Sequence, residues 1–141
     1  MMKERIKDEM HFFLSMDPPT KTQQEHRIGI NKSGKPYTYE DRELKKIRMD
    51  LRRALSKFVP MEPYTGAIRL TVKWLFPRRK HGDGEYKTTK PDTDNLNKML
   101  KDEMTRLGFW KDDALVASEI IEKFWAEIPG IYISIEELSN G

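Results

Sequence analysis

The acidic residues of this 141-residue chain fall where they could act together. Asp92 and Asp94 stand at the start of a segment with helical apolar spacing, and Asp112-Asp113 immediately precede a strand-like run. At about 100° per residue, Asp94, Lys98 and Asp102 share one ~80° arc of that helix, while Leu96, Met99, Leu100 and Leu107 occupy the other side. A polar face is thereby set against an anchored back. Just upstream, Arg78, Arg79, Lys80, Lys87 and Lys90, against only Asp83 and Glu85, lead directly into the acidic helix start. A phosphodiester held with a divalent cation would bridge these two sets of charge. Carboxylate oxygens suit Mg²⁺, with Mn²⁺ as a substitute, and such an ion polarises a phosphoryl group and lowers the pKa of an attacking water. Lys98, one turn after Asp94, is placed to stabilise charge on phosphate oxygens.

Each of these residues also has a plain structural reading. Aspartate is a common N-cap, so Asp92 could turn onto the first-turn amides instead of toward an ion. Asp94 and Lys98 have the i,i+4 spacing of an ordinary surface pair. Other chemistries find less support. His11, His26 and His81 are scattered without metal-ligand spacing, no serine lies in a nucleophile elbow, and no glycine pattern matches a phosphate-binding loop. The acids stand among lysines and arginines rather than in the aromatic setting of a sugar site. With no cysteine, thiol catalysis, disulfide frameworks and zinc knuckles are excluded.

Among the elements that must hold these groups, Met10 to Met16 reads as a buried first strand ended by Asp17-Pro18-Pro19. Thr20 to Thr38 reads as a long loop or ragged hairpin, with a short strand around Arg27 to Ile30. Leu44, Ile47, Leu51, Ala54, Leu55 and Phe58 form one apolar stripe, which predicts a helix closed by Pro60. The other side of that helix carries seven basic residues against two acidic ones between Arg42 and Lys57. Ile68, Leu70, Val72, Trp74 and Phe76 alternate as a strand with one buried face does, and residues 78–91 read as a mobile basic loop. After the second helix, which Gly108 closes, Leu115 to Ala126 and Ile131 to Leu138 flank Pro129-Gly130 and predict an antiparallel hairpin. The expected class is α+β: a small mixed sheet with two main helices packed against it, in the order β-α-β-α-β-β.

Lys plus Arg number 26 against 23 Asp plus Glu, a formal net charge of +3, so any polyanion site must come from uneven placement of charge. The length suits one domain, with residues 1–9 as an N-terminal extension. No stretch is apolar enough for a membrane span or a secretory leader, which points to a cytoplasmic protein.

The segment Lys90-Pro91-Asp92-Thr93-Asp94-Asn95-Leu96-Asn97-Lys98, then Asp102, then Gly108-Phe109-Trp110-Lys111-Asp112-Asp113-Ala114, resembles the RusA family of Holliday-junction resolvases. Lys123, Pro129-Gly130, the closing run Ile131-Tyr132-Ile133-Ser134-Ile135 and the early Pro18-Pro19-Thr20-Lys21-Thr22 extend the resemblance over most of the chain. It implies a RusA-like fold and a homodimeric, Mg²⁺-dependent endonuclease that resolves four-way DNA junctions in recombination and repair, of the kind found in prophage modules. It also implies that Asp92, Asp94 and Asp113 bind the metal, that Lys98 is the essential lysine, and that Asp102 and Asp112 support them. The N-terminal extension and the long basic stretch depart from the compact family pattern and bear on junction specificity.

Arg52 and Arg53 on the first helix, with Arg78, Arg79, Lys80, Lys87 and Lys90, are the expected phosphate contacts. No nucleotide cofactor or membrane is implied. A non-catalytic DNA-binding module, or a nuclease for other branched DNA, remains the alternative. The catalytic reading requires that folding, within one chain or across a dimer, bring Asp92, Asp94 and Asp113 to one ion.

Overall fold

A computed structural model describes residues 9–22, 27–30, 32–39 and 42–138. His26 and most of the proposed N-terminal extension lie outside the described residues, and Glu9 already begins the first strand. The chain forms β1 (Glu9–Leu14), β2 (Arg27–Ile30), β3 (Pro36–Tyr39), α1 (Arg42–Leu55), β4 (Ile68–Pro77), α2 (Thr93–Leu107), β5 (Val116–Ala126) and β6 (Gly130–Glu137). β2 and β3 pair as a separate antiparallel ribbon. The other four strands form one mixed sheet in the order β1-β6-β4-β5, so the class is the α+β arrangement expected, with both helices on one face.

The alternation in β4 explains the layering. Ile68, Leu70, Val72, Trp74 and Phe76 are all buried, each contributing about 1.5–3 kcal/mol by leaving water, while the residues between them are only half-buried. Ile131, Ile133 and Ile135 of β6 and Phe12 and Leu14 of β1 continue the same apolar face. Leu44, Leu51 and Leu55 of α1 and Leu96, Met99, Leu100 and Met104 of α2 close over it. Phe109 and Trp110 are buried behind α2, with Trp110 Nε1 donating to Thr105 Oγ1 at 2.7 Å. Gly108 ends α2 in a left-handed conformation (φ 90°), from which the Gly108 and Phe109 amides return to the Thr105 and Met104 carbonyls.

The expected β5–β6 hairpin does not form. β4 lies between the two strands, pairing parallel with β5 and antiparallel with β6. The local turn residues encode a reversal of direction but not the identity of the neighbour. The central place goes to β4, whose apolar alternation is the longest in the chain. Gly130 is required for a reason other than the turn: a Cβ there would lie 2.0 Å from the Phe13 ring and 2.7 Å from the Leu14 carbonyl. The end of β1 therefore packs closely against the start of β6, its antiparallel neighbour in the sheet.

Candidate active site

α2 starts where the sequence places it, and its first residues are held from two directions. Asn97 is buried on the sheet side and its Oδ1 accepts from Trp74 Nε1 at 3.1 Å. Lys123, opposite Trp74 in the β4–β5 register, donates from Nζ to the carbonyls of Thr89 and Pro91, both at 2.7 Å. An ammonium on β5 thus fixes the segment that enters Asp92.

Asp92 occupies the N-cap position, with extended backbone (φ −72°, ψ 148°) and its carbonyl accepting from Leu96 N–H. Its carboxylate makes no capping bond and is exposed, so the cap reading accounts for its position but not for its side chain. Asp94 and Lys98 are exposed too, and the i,i+4 ion pair that their spacing allowed is not formed. Among the described residues, the side chains of Asp92, Asp94, Lys98 and Asp113 have no hydrogen-bond or ion-pair partner. Thr20, Lys21, Thr22, Lys90, Pro91, Asp92 and Asn95 line one cleft at this helix start. The Pro18-to-Thr22 loop therefore meets the acidic motif in space.

Asp113 lies elsewhere. It begins a short 3-10 turn (Asp113–Leu115) that leads into Val116, the residue paired with Ile68 at the opposite end of β4. From Val116 to the level of Lys123 a strand advances on the order of 20 Å. Among the described residues no three His, Asp or Glu side chains are close enough together to hold a metal ion. One chain brings Asp92 and Asp94 to one helix start and leaves Asp113 at the far end of the βαβ unit. The two acids flanking this set have local roles: Asp112 Oδ1 accepts from Ala114 N–H at 2.9 Å, and Asp102 lies 3.9 Å from Arg48.

The basic residues divide into two groups. Arg79, Lys80 and Lys90 are exposed on the loop, and Arg53 is exposed on α1, 3.6 Å from Asp50. Arg78 closes the loop onto Glu127 and the His81 carbonyl. Lys87, expected to face phosphate, is instead turned inward at 8% exposure, with Nζ 4.3 Å from the Trp125 ring centroid and 5.0 Å from that of Phe76. Desolvation, and to a lesser extent the nearby Lys123, push its pKa below the ordinary lysine value. Arg52 likewise bonds Glu103 at 2.6 Å rather than facing solvent alone, and that hydrogen bond raises its pKa.

Glu103 was not singled out from the sequence, although a signal existed. It is a carboxylate set in the buried stripe of α2 between Leu100 and Met104, opposite Arg48 and Arg52 one turn apart on α1.

A family model described as endodeoxyribonuclease RusA matches residues 18–136. A crossover junction endodeoxyribonuclease of Lactococcus phage r1t is 31% identical over 94% of this chain and the whole of the phage protein. The chain belongs to the RusA endodeoxyribonuclease family. An uncharacterised Bacillus subtilis protein, YqaN, is also similar, at 28% identity over 79% of this chain and 86% of its own. Membership in the RusA family makes this chain a nuclease that acts on DNA phosphodiester bonds. Both the motif at Asp92 and the Asp113 turn lie inside the matched region. No helix among the described residues is long and apolar enough to cross a membrane.

Proposed function

We propose that this protein is a Mg²⁺-dependent resolvase of four-way DNA junctions that acts as a homodimer in the cytoplasm during DNA recombination and repair. Each of its two sites would be built from Asp92 and Asp94 of one copy and Asp113 of the other. The observation that carries this reading is the set of three exposed carboxylates, without partners among the described residues, at opposite ends of one βαβ unit. Carboxylates bound to nothing else suit a hard cation, and their separation within the chain calls for a second copy. Similarity to the phage crossover junction endodeoxyribonuclease supports the four-way substrate. When bound, the ion would supply Lewis-acid activation of the phosphoryl group and of the attacking water.

The chain's own groups do the rest. Asp92 and Asp94 would hold the ion at the phosphate, while Lys98, one turn further along α2, would face the developing charge. Lys123 keeps the Thr89–Pro91 backbone in place, so that Asp92 meets the strand in a fixed direction. Arg79, Lys80, Lys90 and Arg53 track the flanking phosphates. Two equivalent sites related by a two-fold axis match the paired incisions a junction requires.

Complementation tests the arrangement. Asp94→Asn and Asp113→Asn, each alone, should leave junction binding intact and abolish incision. Mixed and re-equilibrated, they should recover single-strand nicking, because the heterodimer contains one site with all three acids. Recovery of nothing would place all three acids in one chain. Incision of linear duplex as fast as of the junction, at equal salt, would remove the resolvase reading while leaving the nuclease.

A further inference from the structure

The loop between β4 and α2 ties down most of its charged groups, and two that it leaves out share a single turn. Arg78 N–H donates to the Ala126 carbonyl, and the Arg78 guanidinium bonds Glu127 and the His81 carbonyl. His81 stacks on Trp125, with ring centroids 4.1 Å apart and planes within 2° of parallel. Asp83 Oδ1 accepts from Glu127 N–H, Glu85 Oε2 accepts from Gly82 N–H, and Lys87 is buried against Trp125 and Phe76. His81 N–H also donates to the Arg78 carbonyl at 2.8 Å, which closes a β-turn around Arg79 and Lys80. Both of these residues are exposed, and neither side chain has a partner among the described residues.

Arg79 holds a backbone conformation that its own side chain disfavours. Its φ is 50°, the only positive value at a non-glycine among the described residues. A positive φ at the first central position of a turn is normally met by Gly, Asn or Asp, because a longer side chain there crowds the backbone. Strain of this kind persists only where the surroundings over-determine it, and it concentrates at ligand clamps. The turn also stands at the end of the sheet where α2 begins. Lys123, level with Trp74, holds the Pro91 carbonyl and with it the entry to Asp92. Pro77 ends β4 three residues beyond Trp74, so the turn projects on the order of 10 Å past that level, off the carboxyl ends of two parallel strands. Ligands of sheets with parallel strands bind off those ends.

We propose that the Arg79–Lys80 turn is the branch-reading element of this nuclease, set where the phosphates of two DNA arms converge. Loose lysines and arginines bind phosphates wherever they lie, and they add affinity without discrimination. Two adjacent cations fixed on a tied turn meet only phosphates that stand in a matching arrangement. At a branch point the strands of different arms change direction and their phosphates crowd together, a repulsion that cations placed between them relieve. A linear duplex offers no such convergence. The turn thus supplies selectivity within the junction reading above, on which its role rests.

Arg79→Gly tests this role, because glycine is the residue that the conformation favours. Its melting temperature should equal or exceed the wild-type value, and a fall would mean that the Arg79 side chain serves the turn, which overturns the proposal. Binding of the full chain without Mg²⁺ is then compared on a four-way junction, a three-way branch and a linear duplex at one salt concentration. Arg79→Gly should lose the preference for both branches over duplex by about five-fold or more. Lys45→Gln, which removes an exposed charge from α1, should weaken all three by one common factor. The same common factor for Arg79→Gly overturns the proposal, as does a wild type that binds duplex as tightly as either branch. A wild type that cuts three-way branches as fast as four-way junctions removes the resolvase reading instead, and loss of branch preference in Arg79→Gly then still upholds the turn.

Discussion

Two groups of carboxylates on α2, within three turns of each other, meet opposite fates. Glu103 is wholly buried, and Arg52, Arg48 and Arg106 surround it at 2.6, 3.5 and 3.7 Å. Asp92 and Asp94, at the start of the same helix, are exposed and unmatched among the described residues, although the chain carries more basic than acidic groups. A carboxylate taken out of water needs hydrogen-bonding cations to keep its charge, or it takes up a proton or destabilises its surroundings. One left in water without a partner costs the fold little and stays available to an ion or a phosphate. The first kind joins α1 to α2, and the second kind is the one we propose for the chemistry.

That contrast can be broken from either side. Asp92→Asn should reduce Mg²⁺-dependent incision by about 10³-fold, the loss of several kcal/mol of transition-state stabilisation. It should leave the melting temperature within experimental scatter, because no contact is removed. A fall in stability comparable to a core mutation would mean that Asp92 is structural after all.

Arg52→Ala should do the reverse. It takes from a buried carboxylate its shortest hydrogen bond and should lower unfolding free energy by about 2–3 kcal/mol, seen as a reduced denaturant midpoint at unchanged m-value. Incision per folded molecule at a permissive temperature should remain within a few-fold of wild type. A stable variant would show that Arg48 and Arg106 suffice to hold Glu103.

The smallest effect concerns Lys87, the cation that the fold turns inward. Its pKa is lowered by desolvation and then by Lys123, so in the alkaline range the unfolded chain binds the proton that the folded chain has released. Stability from this group therefore rises with pH up to the ordinary lysine value and is lowest where Lys87 is fully charged. Lys87→Met removes that dependence. The stability difference between wild type and variant should shift toward the wild type, by under about 1 kcal/mol, between neutral pH and pH ~10 in paired urea titrations. A pH-independent difference would mean that Lys87 keeps its charge equally well in both states.

The helices and strands themselves were readable because each rests on a local period. The β4 alternation, the α1 stripe, the α2 stripe and the Gly108 stop are local patterns, and those elements appear within two or three residues of their expected bounds, whereas β3 lay mostly inside a stretch read only as a long loop or ragged hairpin. What misled was adjacency. Pro129-Gly130 marks where the chain turns, yet β4 enters between the strands it joins. The charges of residues 78–90 were similarly visible as a run, but a run does not say which members face water, and Lys87 and Arg78 are used internally. Lys123 and Glu103 were legible only in part, because their work is done on groups distant in sequence.

By itself the sequence determined the elements, the acidic start of α2, the glycine that stops it and the family to which the chain belongs, since all of these are written in residues close together along the chain. Only the tertiary structure decided that β4 is central and that Glu103 is buried against arginines. It also decided that Asp113 stands about a strand's length from Asp92 and Asp94. The reason is that burial and distance depend on which surfaces meet when the apolar faces close, and a parallel βαβ connection carries residues near in sequence to opposite ends of the sheet.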